Sequence, residues 1–77
     1  MAKRRVRLTF PQELLREPII YVLGHQFKIV TNILQADISE SKAWSVLELE
    51  GEEKAIDDAI AWATSRGVRV DTYQTPL

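Results

Sequence analysis

"AWSVLELEGEEKAIDDAIAWATSRGVRV", residues 43–70, changes period twice within one stretch. From Ala43 to Glu50 it alternates as a strand does, with Ser45, Leu47 and Leu49 on one face and Trp44, Val46, Glu48 and Glu50 on the other. After Gly51 the repeat lengthens. Ile56, Ala59, Ile60 and Ala63 fall at i, i+3, i+4 and i+7, one apolar stripe of a helix over residues 52–66. Glu52 and Glu53 in its first turn and Arg66 in its last complement the helix dipole, and Gly67 stands where a left-handed cap is needed. "VRVDTY", residues 68–73, then returns to alternation with Val68 and Val70 inward. Strand, helix and strand follow one another with a glycine at each junction.

Upstream, "RVRLTF" at 5–10 sets Val6, Leu8 and Phe10 against Arg5, Arg7 and Thr9, a half-buried strand that Pro11 ends. Pro18 suits the first position of a helix, where its missing N–H had no partner. The first helix is therefore expected from Glu17–Pro18 to about Gly24–His25, with Leu14 and Leu15 on a lead-in turn packed underneath. "FKIVTNILQADI" at 27–38 reads as the second strand and "SESK" at 39–42 as a hairpin turn. The order β-α-β-β-α-β, with short right-handed connections, predicts an α+β ferredoxin-like sandwich: a four-stranded antiparallel sheet with both helices on one face. Arg5, Arg7, Glu48, Glu50, Arg69 and Asp71 are expected on the open face, paired across strands. Residues 1–77 form a single domain with its core over about 4–73 and a loose tail at 74–77.

Composition removes several function classes. The chain has no cysteine, so no disulfide, thiolate metal site or cysteine nucleophile. Ten basic residues against eleven acidic ones give a net charge of −1, which argues against a dedicated nucleic-acid binder. Lys3, Arg4, Arg5 and Arg7 read as a solvated strand edge. The N-terminus lacks a signal-peptide pattern and "PIIYVLG" is far too short to span a bilayer, so a cytoplasmic protein without membrane insertion is expected. No phosphate-binding glycine loop is present, and Ser39, Ser41, Ser45 and Ser65 have no adjacent histidine base. The single histidine, His25, reads as a solvated or capping residue, and Asp57, Asp58, Glu52 and Glu53 as a solvated helix face. The expectation is a non-enzyme without metal or cofactor. Recognition of RNA on the open sheet would need several exposed aromatics, and only Trp44 is offered.

The second strand is the anomaly. Val30, Leu34, Ala36 and Ile38 lie on one parity, and Phe27, Ile29 and Ile33 on the other, so either face could meet the helices. A strand apolar on both sides is a hazard at a sheet edge unless something covers it. Symmetric pairing of two copies would do so, which places Ile29, Val30, Asn32, Leu34 and Ala36 at a homodimer interface. Within this strand stands one amide, Asn32. Its two donors and one acceptor suit a ligand's ammonium or carboxylate, a backbone group, or a subunit-interface partner.

These residues resemble a known family. "TNILQADIS" followed by "LELEGEEKAIDDAIAWATSRGVRV" is similar to the NIL domain, named after its Asn-Ile-Leu motif, here Asn32, Ile33 and Leu34. The likeness runs from "RLTF" through Pro18 and Gly51 to "GVRV". NIL domains are known as C-terminal regulatory domains of bacterial methionine-importer ATPases and as modules joined to iron–sulfur ferredoxins. In the importers they pair across the subunit interface and bind methionine, which shuts transport down. The resemblance implies a ferredoxin-like small-molecule sensor with Asn32 as the first candidate ligand contact, and Ile33, Leu34 and Trp44 are expected beside it as ligand-binding residues. The 77 residues contain neither the ATPase domain nor the ferredoxin cysteines, so a stand-alone module is expected. Trp44 stands where the family commonly has glycine, and its indole would either fill the ligand's space or wall it. Two functions follow: a homodimeric module that binds methionine or a related amino acid and signals to a partner, or a ligand-free domain that docks in trans onto a transporter ATPase or ferredoxin-type protein.

Overall fold

A computed structural model describes residues 2–39 and 42–72. The described residues form strand β1 (Ala2–Phe10), a short 3-10 helix (Gln12–Leu14), helix α1 (Ile19–Phe27), strands β2 (Val30–Ile38) and β3 (Ala43–Gly51), helix α2 (Glu53–Ser65) and strand β4 (Arg69–Thr72). All pairings are antiparallel and the sheet order is β2-β3-β1-β4, the ferredoxin-like α+β arrangement that the period changes predicted. The turn residues 40–41, Tyr73 and the tail at 74–77 lie outside the described residues.

The core fills the side of the sheet that faces the helices. Val6 and Leu8 of β1, Leu47 and Leu49 of β3, and Ile56, Ala59 and Ala63 of α2 are all buried there. Register enforces this, because Val6 stands opposite Leu47, and directly opposed residues share a face. Helix α2 ends as its sequence requires. The Val68 N–H donates to the Ala63 carbonyl and the Gly67 N–H to that of Thr64, while Gly67 takes φ 105°. This is a complete glycine cap, with Val68 and Ala63 both buried beside it.

Three expectations change. Helix α1 does not stop at Gly24–His25 but continues to Phe27, where Lys28 turns left-handed at φ 56°, ψ 46°. Gly24 instead permits close packing: a Cβ there would stand 3.4 Å from the Ile29 carbonyl oxygen. Phe27 is consequently a helix residue packed on Trp62, with ring centroids 5.9 Å apart, and β2 starts at Val30. The pair Leu14–Leu15 splits, Leu14 being buried and Leu15 exposed. The basic residues of β1 are not simply a solvated edge either, since β1 is flanked by β3 along its length and by β4 over Val6–Thr9. Arg4 reaches the helix side and donates to Asp57 at 2.6 Å. Arg66 similarly ties the end of α2 to Glu17 at 2.7 Å.

Lys28 yields a stability prediction. A side chain in the left-handed region costs about 1–2 kcal/mol, partly offset by the greater flexibility of an unfolded glycine. Lys28→Gly is expected to raise the unfolding free energy by roughly 0.5–1 kcal/mol in urea titrations, with an unchanged m-value.

Candidate functional site

β2 forms one edge of the sheet and pairs only with β3 among the described residues. Its apolar residues are unusually exposed: Val30 49%, Ile33 59%, Leu34 48% and Ile38 75%. A bulge explains the contradictory pattern of this strand. Ile33 stands opposite Leu47 but Gln35 opposite Val46, so Leu34 is an extra residue and the alternation slips there. Before the slip Val30 and Asn32 lie on the open face opposite Glu50 and Glu48, while Thr31 and Ile33 face the helices. After it, Gln35 and Asp37 take the open face, and Ala36 and Ile38 join Ile33 on the helix side. Ser45, buried at 3% exposure, donates its hydroxyl to the Gln35 carbonyl at 3.3 Å beside the bulge.

Helix α1 is too short to cover this face. Nine residues reach about 13 Å as helix but about 30 Å as strand, and Gly24 lies against Ile29 and Thr31 at the start of β2. The uncovered part opens into an apolar groove of about 320 Å³, walled by Leu14, Ile19, Tyr21, Ile33, Ile38 and Trp44. A second groove, of about 560 Å³, lies at the same end of the sheet; Arg7, Lys42, Trp44, Arg69 and Asp71 line it. The Arg7 guanidinium sits 4.7 Å from the centroid of a Trp44 ring. Trp44 thus borders both grooves.

The expected ligand contacts do not all meet within the chain. Asn32 is exposed on the open face, and its amide has no hydrogen-bond partner among the described residues. Ile33 and Trp44 meet at the apolar groove, whereas Leu34 is the bulge residue between the two faces. Asn32 and Trp44 align with β3 positions four residues apart, about 13 Å along the strand. Of the expected interface residues, Val30, Asn32, Leu34 and Ala36 are exposed along β2, but Ile29 is only 5% exposed and serves the protomer's own core.

Sequence reading missed the wall supplied by Leu14, Leu15, Ile19 and Tyr21, and the role of Ser45 at the bulge. A signal existed for part of that wall, because Pro11 and Pro18 bracket an apolar pair too short for a full helix. His25 is exposed and stacks on Tyr21 at 5.5 Å, a helical i, i+4 contact. Among the described residues no group of three or more His, Cys, Asp or Glu could hold a metal, and no helix is long and apolar enough to cross a membrane.

Comparison with known proteins gives a consistent picture. The family model described as NIL domain matches residues 4–72. The crystal structure of the C-terminal domain of an ABC transporter/ATP-binding protein from Enterococcus faecalis superposes with a TM-score of 0.82 at 25% identity, covering 95% of this chain and 86% of that one. The de novo designed protein Foldit4 shares the fold at a TM-score of 0.60 and 9% identity, covering 97% of this chain and 96% of the design. A second design, Ferredog-Diesel, gives 0.51 and 12%, covering 95% and 85%. No curated protein matches the sequence.

The exposed edge residues should be dispensable for folding. Ile38→Thr, at 75% exposure, is expected to change the unfolding free energy by less than about 0.5 kcal/mol. Leu47→Ala, at a position with 0% exposure, should cost about 2–5 kcal/mol. Paired denaturation curves check both.

Proposed function

The chain belongs to the NIL domain family, and from that premise we propose that it is a regulatory module that pairs with a second copy along β2, binds methionine or a related amino acid at the paired edge, and passes that state to a partner protein. The observation that carries this reading is the edge itself: exposed Val30, Ile33, Leu34 and Ile38 beside an Asn32 amide without a hydrogen-bond partner among the described residues. Such an edge, with a free row of backbone donors and acceptors, is a template for another strand. A twofold axis would use the same residues on both copies.

Ligand contact at the edge has a geometric rationale. Asn32 and Ile33 point to opposite faces, yet with Leu34 they occupy three consecutive positions, about 7 Å of strand. An amino acid laid against the edge would meet an amide for its charged head and branched aliphatic groups for its side chain. Trp44, one strand inward, would then bound the adjoining groove rather than touch the head group.

The half-buried Trp44 and Tyr21 at 67% exposure favour a second reading, ligand-free docking onto a protein in trans, because aromatic side chains often anchor interfaces.

Sedimentation at ~100 µM, well above micromolar dissociation constants, is expected to give a dimer. Val30→Lys should give a folded monomer, since an edge lysine opposes strand addition. Calorimetric titration of methionine, with homocysteine, cysteine and leucine as controls, is expected to show saturable heat that Asn32→Ala abolishes. A monomer without heat for any of the four would sink the proposal. Specific retention of one protein partner, unchanged by amino acids, would establish the second reading.

A further inference from the structure

The second groove lies away from the β2 edge and shares only Trp44 with the second reading, and its other side chains point to a different chemistry. We propose that the groove between Trp44, Arg7, Lys42 and Arg69 binds a small multivalent oxyanion, a polycarboxylate or a phosphoryl compound, independently of the β2 edge.

The first support is charge. Three cations, Arg7, Lys42 and Arg69, and one carboxylate, Asp71, line the groove, a positive site on a chain whose net charge is −1. Of the arginines elsewhere, Arg4 pairs with Asp57, Arg5 with Glu48 and Arg66 with Glu17, while Arg16 has no carboxylate partner among the described residues. Among the described residues no carboxylate pairs with Arg7 or Lys42. Arg69 does pair with Asp71 at 3.2 Å, but the two side chains are 77% and 46% exposed, and a pair so solvated holds its members weakly. An incoming anion can therefore recruit Arg69 without breaking a strong contact.

The second support is orientation. The Arg7 guanidinium lies against the indole of Trp44, which restrains the side chain by cation–π attraction. A cation–π contact consumes no hydrogen-bond donor, and the guanidinium carries five N–H donors in a planar fork. That fork is matched to the paired oxygens of a carboxylate or phosphate. The β1–β4 register sets Thr9 opposite Arg69, so the strand that positions Arg7 also places Arg69 at the same end of the sheet. Lys42 immediately precedes β3, which carries Trp44. Pro11 and Phe10 supply an apolar wall for a short carbon skeleton.

Trp44 is also a built-in reporter once the other indole is removed. In a Trp62→Phe background, citrate and pyrophosphate would be titrated at low ionic strength and followed by tryptophan fluorescence, with sodium chloride at matched ionic strength as control. The expected result is a saturable change for one or both ions up to about 10 mM. Binding should weaken at least about tenfold in Arg7→Gln and in Lys42→Gln, as loss of a charge-assisted hydrogen bond predicts. It should persist in Asn32→Ala, which separates this site from the edge. Preference for citrate or pyrophosphate would tell a carboxylate ligand from a phosphoryl one. Lys42 is exposed, so its variant carries the test if Arg7→Gln proves unstable by circular dichroism. A change equalled by sodium chloride, no change, or undiminished binding in folded variants would overturn the proposal. A response to hexaglutamate alone would also overturn it, in favour of an acidic protein segment.

Discussion

A strand can give one face to a core only while its residues alternate, and in β2 one residue, Leu34, breaks the alternation. The consequences spread through the edge of the molecule. Without the slip, Ile33 would share its side with Gln35 and Asp37, while Ala36 and Ile38 would face open solvent with Asn32. The bulge gathers Ile33, Ala36 and Ile38 on the helix side and leaves Asn32 and Asp37 outside. It also bends the ladder, and the buried Ser45 hydroxyl meets the Gln35 carbonyl there. A buried serine is costly without an acceptor. Here donor and bulge satisfy one another.

The apolar groove follows from the bulge together with the brevity of α1. Gly24 lets the helix pack closely over the first residues of β2, and Lys28 closes it in a conformation that side chains usually avoid. No residue of β2 joins the core, and the part of its helix-side face that α1 leaves uncovered supplies Ile33, Ile38 and the groove beside them. Helix α2, longer and closed by its C-terminal glycine cap, lies over the centre of the sheet, where Val6, Leu47 and Ile56 are 0% exposed. Burial and exposure are thereby separated along the sheet: β1, β3 and α2 hold the core, and β2 is the part presented outward.

How much of this was legible varied by element, for physical reasons. β3, α2 and its glycine cap were readable because each signal is local: two-residue alternation, one apolar stripe, and one glycine at the required φ. The end of α1 was not. Glycine near a helix terminus serves equally as a cap or as a site of close approach, and only the presence of Ile29 and Thr31 against Gly24 decides between them. The bulge was visible as an anomaly, apolar residues on both parities, but not as a bulge, since it is defined by two strands and the partner register is absent from the sequence. Asn32 and Ile33 could therefore be selected as candidates without it being known that they face opposite ways. Trp44 was selected because its indole stands where the resembled family commonly has glycine; its contact with Arg7 depends on three-dimensional placement alone.

The exposed edge gains a rationale from size. A chain of 77 residues buries only about 60% of its unfolded surface, so it has little stability to spare for a fully formed internal binding pocket. A site completed by a second copy avoids that demand, because surface left open in the protomer becomes buried only on pairing. In the proposed dimer, a ligand held by both edges would bind the paired state and not the separated one, so binding and association would form a single linked equilibrium. The linkage is reciprocal: whatever factor the ligand adds to dimer affinity, the dimer adds to ligand affinity. At a ligand concentration of 100 dissociation constants the added stability is about 2.7 kcal/mol, a hundredfold change in association. No rearrangement of β1, β3 or α2 is required for that response. The buried half of the sheet would only have to hold β2 in register while the edge changed partners.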